Sequence, residues 1–176
     1  MNIISLLDNK NMKPLEKRVK IVEIIRMNFI SIKEIKSLQD TIDDKKMALI
    51  FEAMEDVTNK NPEIANLDWL IFVQNFILSK SNNLKREASR IVGNIAYLFP
   101  NNLNVAIQNL IENTKNESTV IRWGSAYALA RIIQIPKYAN NELYAVIEDL
   151  CEQETDNGVK NQFTNGLKKA EKIRKA

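Results

Sequence analysis

Residues 104–133 read NVAIQNLIENTKNESTVIRWGSAYALARII. Apolar residues recur here at steps of three and four, the spacing that puts them on one face of an α-helix. The polar run NTKNEST breaks the pattern once, so the stretch predicts a helix, a short turn and a second helix opening on Ile121-Arg122. Ser118 and Thr119 stand where a side-chain oxygen can accept from the free N–H groups of a new helix.

The second half of this unit recurs. Leu84-Lys85-x-x-Ala88-x-x-Ile91-Val92-x-x-Ile95 aligns with Ile121-Arg122-x-x-Ser125-x-x-Ala128-Leu129-x-x-Ile132 and with Val159-Lys160-x-x-Phe163-x-x-Gly166-Leu167-x-x-Ala170, the copies beginning at 84, 121 and 159. A helix pair returning at this period is the mark of a stacked α-solenoid. Reading outward at the same spacing predicts helices near 2–9, 13–28, 31–40, 43–60, 63–79, 83–99, 101–114, 118–135, 139–154 and 157–174, which makes about five hairpins. Pro14 and Pro62 suit first turns, Pro100 and Pro136 stop the helices before them, and Thr155 and Asp156 can cap the last helix, beside the turn residues Asn157-Gly158. In the first two pairs the opening cation shifts to Lys17 and Lys46, followed by Ile21, Ile24, Ile25 and by Ile50, Ala53, Met54. The whole of 1–176 is therefore expected to be one domain, with degenerate repeats over 1–62 and clearer ones over 63–174.

Composition narrows the chemistry. The 176 residues carry a net charge of +3, no histidine and one cysteine. Without histidine there is no Ser/His/Asp or Cys/His arrangement and no imidazole ligand, so no metal and no cofactor are expected. Cys151 sits among Glu152, Glu154 and Asp156, where nothing favours a thiolate. The start of the chain lacks a basic segment followed by an apolar one, and the stretch Trp69 to Leu78 is about half the ~20 residues of a membrane span, so a cytoplasmic protein without a membrane partner is expected. Trp69-Leu70-Ile71-Phe72-Val73 with Phe76-Ile77-Leu78 predicts a helix covered on all sides. The acidic run Glu148 to Asp156 reads as a solvated face, paired with the basic last helix that carries Lys168, Lys169, Lys172, Arg174 and Lys175. That last helix has the polar outer face of a terminal cap.

These features resemble the HEAT-repeat family, with the likeness clearest over residues 63–174. The resemblance implies an all-α fold, an α-α superhelix of HEAT-like hairpins, in which the second helix of each pair lines a concave face. HEAT repeats often place an aspartate six residues before the opening arginine; here Ser79, Asn116 and Glu154 hold those places, which leaves the inter-repeat polar ladder only partly available. On the concave face a stripe is expected through Trp123, Tyr127 and Arg131, flanked by Arg86, Arg90 and Asn94 on one side and by Asn161, Asn165 and Lys169 on the other. Arg122 lies beside it with Lys85 and Lys160. Such a strip suits an acidic protein segment or a phosphate backbone; equally, the aromatics can pack between helices and the cations can bridge repeats.

Two functions follow from the resemblance. One is a non-catalytic scaffold binding another protein through Arg86, Arg90, Arg122, Trp123, Tyr127 and Arg131. The other is a nucleic-acid binder, or a DNA glycosylase of the HEAT-like alkylation-repair type, which needs a carboxylate beside its aromatics. No Asp or Glu falls on the stripe as traced, so no catalytic residue is expected.

Overall fold

The computed structural model describes residues 3–175; Asn2, the first residue of the expected helix over 2–9, lies outside them. The fold is all-α. Its helices are α1 (Ile3–Asp8), α2 (Pro14–Arg26), α3 (Ile32–Ser37), α4 (Asp44–Lys60), α5 (Leu67–Gln74), α6 (Asn82–Ile95), α7 (Asn104–Asn113), α8 (Thr119–Ile132), α9 (Pro136–Ala139), α10 (Leu143–Gln153) and α11 (Asn157–Arg174), with short 3-10 turns at Pro62–Ile64 and Ala96–Leu98.

Five longer helices form a row: α2 packs on α4, α4 on α6, α6 on α8 and α8 on α11. The shorter ones lie over it, α5 on α6, α7 on α8 and α10 on α11. One apolar core joins both layers, with Ile21, Ile50, Leu70, Ile91, Leu110, Leu129 and Phe163 nearly or wholly buried. Near residue 51 it gains an aromatic cluster, in which Phe51, Phe72 and Phe76 meet at centroid distances of 4.7 to 5.8 Å. Three members of the row are capped by the residue before them: Asp43 accepts from the Lys46 N–H, Ser81 from Leu84 and Asp156 from Val159, each satisfying a donor with no partner inside its helix.

Several boundaries differ from the sequence reading, and the causes are local. Pro136 opens α9 as its first residue, so a short helix stands where a break was expected, and the helix expected over 139–154 begins only at Leu143, as α10. Ser118 takes the cap position of α8, but its side chain accepts no hydrogen bond there; Asn116 Oδ1 accepts from the Ser118 N–H instead. The helix expected over 63–79 reduces to α5, because Pro62 starts a 3-10 turn and the chain loosens after Gln74. It is also not covered on all sides: Trp69, Leu70, Phe72 and Val73 are buried, whereas Leu67, Ile71 and Leu78 are 37–47 % exposed. The inner layer covers one face of α5, and no second layer of described helices lies over the other.

The row closes at two glycines. A Cβ on Gly93 would stand 2.9 Å from the Ala128 Cα, and one on Gly166 would stand 2.7 Å from the Cα and Cβ of Ala130. Alanine favours a helix over glycine by about 1 kcal/mol, but forcing atoms into a packed interior costs about 1–3 kcal/mol. Gly166→Ala is therefore expected to lower stability in spite of the better propensity. A denaturant or thermal melt in which this variant equals or exceeds the parent would show that α8 and α11 can separate freely.

Candidate functional site

Where the middle of the row faces away from the shorter helices, α4, α6 and α8 bring together Glu55, Glu87, Arg90, Asn94, Trp123, Tyr127 and Arg131. The aromatics come from α8. Trp123 and Tyr127, one helical turn apart, stack with ring centroids 5.4 Å apart and planes inclined by 28°. The Arg131 guanidinium sits 3.6 Å from the Tyr127 ring centroid, close enough for a strong cation–π contact. Trp123 is half-buried and Arg131 exposed, but Tyr127 is buried, with its hydroxyl donating to Asn94 Oδ1 at 2.6 Å. Burial pushes the Tyr127 phenol above its ordinary value, against the opposing pull of Arg131 and Arg90.

Asn94 is the hinge between helices. Its amide nitrogen donates to Thr58 Oγ1 at 3.2 Å and lies 3.5 Å from the Glu55 carbonyl, so one side chain ties α8 to α6 and α6 to α4. The sequence reading set Asn94 on the exposed stripe; it is 8 % exposed. Arg86 and Arg90 are half-buried, whereas Asn161, Asn165 and Lys169 on α11 are exposed. The stripe thus runs from covered to open, because α4 flanks α6, α6 flanks α8, and no described helix flanks the far side of α11.

The cations of the strip are largely matched. Glu87, 2 % exposed, accepts from Arg86 Nε at 2.6 Å and from Arg90 Nη1 at 3.1 Å. Arg90 Nη2 approaches Glu55 Oε1 to 2.8 Å. Arg122 holds Glu154 through two hydrogen bonds, Nε to Oε2 at 2.9 Å and Nη2 to Oε1 at 3.2 Å, and also donates to the carbonyls of Asn116 and Glu117. Glu154 therefore pairs with α8 and not with the basic last helix, as the sequence reading had it. Burial works against its ionisation, but the hydrogen bonds from Arg122 and from the Asp156 and Thr155 N–H groups outweigh burial and hold its carboxyl below the usual range.

Two carboxylates thus reach the strip, although none was expected there. Glu87 looks like part of the Arg86–Arg90 segment in sequence, and only the side-chain directions turn it inward between them. Glu55 comes from another helix. In the sequence it is one of three acids, Glu52, Glu55 and Asp56, set among Ala53, Met54 and Val57, and nothing marks it from the other two. Burial raises the Glu55 carboxyl above its ordinary value of 4.5, Arg90 pulls it down, and Glu87 pushes it up again. Cys151 is buried near Thr164 and the Lys160 carbonyl, and no group of three or more residues able to hold a metal occurs among the described residues.

No protein-family model and no curated protein matches the chain. Two crystal structures of engineered proteins from the Northeast Structural Genomics Consortium are similar in fold. One, at 12 % identity and a TM-score of 0.55, is matched over 98 % of both chains; the other, at 15 % identity and a TM-score of 0.56, is matched over 98 % of this chain and 100 % of its own.

Because the folded pKa of Glu55 lies above the unfolded one, folding favours its neutral form. The cost is absent below about pH 4.5 and grows as pH rises through the folded pKa. Glu55→Gln keeps an oxygen for Arg90 and removes that cost, so it is expected to melt higher than the parent at pH 7 and level with it at pH 4. A lower melting temperature at pH 7 would mean that the ion pair with Arg90 outweighs burial.

Proposed function

We propose that the chain is a HEAT-like α-α superhelix acting as a non-catalytic binding scaffold in the cytoplasm, with a protein partner held on the face of α6, α8 and α11. The row in which each long helix meets the next in chain order supports the superhelical part of this reading. No helix among the described residues is long and apolar enough to cross a membrane.

The observation that carries the binding role is the Trp123–Tyr127–Arg131 stack. Tryptophan, tyrosine and arginine are the residue types that dominate binding energy at protein interfaces, and their value rises when they are held in place before the partner arrives. Asn94 fixes Tyr127 from below, Tyr127 fixes Arg131, and the exposed Asn161, Asn165 and Lys169 continue the surface onto α11. A partner segment with an aromatic or apolar anchor and nearby carboxylates would meet Trp123 and find Arg131 and Lys169 beside it.

The charge pairing weighs against a phosphate backbone as the ligand. Duplex binding draws its energy from cations that shed counterions, and here Arg86, Arg90 and Arg122 already face Glu87, Glu55 and Glu154. The same pairing leaves Glu55 and Glu87 each facing an arginine.

A displayed library of random peptides separates the readings. The parent protein is expected to enrich acidic sequences containing an aromatic residue, and Trp123→Ala and Arg131→Ala should each lower binding of the selected peptides by about tenfold or more. Fluorescence anisotropy with labelled duplex DNA supplies the opposing arm. Micromolar duplex binding that weakens steeply with salt, together with peptide binding indifferent to both substitutions, would replace the protein partner with nucleic acid.

A further inference from the structure

The two ends of the helix row differ in kind. At the far end the outward positions of α11 are polar: Asn161, Asn165, Lys168, Lys169 and Lys172 are all exposed. At the other end, α2 packs on α4 with one face and shows apolar side chains on another. Phe29 is 73 % exposed, Met27 64 % and Leu15 62 %, the three highest values among the described large apolar residues, and Val19 is 50 % exposed.

Phe29 owes its place to the way α2 stops. Asn28 adopts a positive φ of 54°, and the Asn28 and Phe29 N–H groups donate to the Ile25 and Ile24 carbonyls. This left-handed ending turns the chain back so that the residue after it meets the last turn of its own helix. Phe29, Met27 and Ile24 then wall an open groove of about 540 Å³, with Lys20 and Glu23 at its side. Among the described residues, Lys20, Glu23 and Arg26 make no ion pair.

We infer that this end face binds a second copy of the same face, α2 against α2, about a two-fold axis. The charges select that occupant. In an antiparallel pair with the axis beside Ile21–Val22, Lys20 stands opposite the second copy's Glu23, and Glu23 opposite its Lys20. Met27 and Phe29 then lie beside the first turn of the second copy's helix, and Glu16 comes within a turn of its Arg26. A self-complementary patch of this type gives a closed dimer. The alternative of stacking head to tail would press the apolar face onto the lysines of α11, which match neither its apolar surface nor its mixed charges.

A helix of 13 residues is about 20 Å long, so two of them bury less than the roughly 800 Å² per partner of a standard interface. The dimer is accordingly weak, with a dissociation constant of roughly micromolar order.

Sedimentation equilibrium of the full chain between about 1 µM and 500 µM reads the result, with circular dichroism confirming that each variant is folded. The parent should pass from monomer to dimer across this range. Phe29→Ser should raise the dissociation constant about tenfold or more. Lys20→Glu should do the same by setting acid against acid, and Lys20→Glu/Glu23→Lys should restore the parent affinity, since only this register exchanges the two charges across the axis. A chain that stays monomeric throughout, including one whose end face is taken only by a different protein, overturns the inference. So does a dimer unmoved by Phe29→Ser, or a double variant as weak as the single one.

Discussion

Each crossing in the second half of the row depends on a residue too small to hold its neighbour off. Gly93 lets α8 come down until Ala128 and the Tyr127 ring lie against the α6 backbone, and Gly166 lets α11 close on Ala130. Helices set this close bury their flanks on each other, and for that reason the faces of α6 and α8 carry so few large side chains at the contact: Ser89, Gly93, Gly124 and Ala128 meet there. The close approach also decides what polar groups can do. Asn94 could not reach both Tyr127 and Thr58 across a wider gap.

Much of this was legible in the chain. Periodicity placed every long helix, and the recurrence at 84, 121 and 159 named the three that form the second half of the row. Charge compensation was not legible, because it depends on which way a side chain turns once helices are paired. Glu87 lies between two arginines in sequence and between the same two in space, but only burial makes it their partner. Glu55 is 35 positions from Arg90, so nothing local could connect them. The reading of α5 failed for a related reason: a segment rich in apolar residues predicts burial, and it cannot tell one covered face from two. Ile71 and Leu78 are exposed because the layer over α6 is a single helix thick.

The site therefore combines two kinds of arginine. Arg86, Arg90 and Arg122 are spent inside the protein, holding Glu87, Glu55 and Glu154 where burial alone would disfavour an ionised carboxylate. Among the described residues Arg131 makes no ion pair, and it rests on a ring. A guanidinium stacked on an aromatic keeps its edge donors free for carboxylates from outside, so this residue can take a new partner without giving up an old one.

The Tyr127–Asn94–Thr58 chain has a mechanical meaning as well. In a row of helices that touch only their neighbours, each junction can open by itself, and loosening one end need not be felt two helices away. Here one buried amide belongs to two junctions at once. Pulling α8 from α6 strips the Asn94 oxygen of its donor and frees the side chain that also grips α4. The middle of the row should consequently come apart as a block of three helices, while α11 and α2, at which no such shared group occurs among the described residues, fray independently of it.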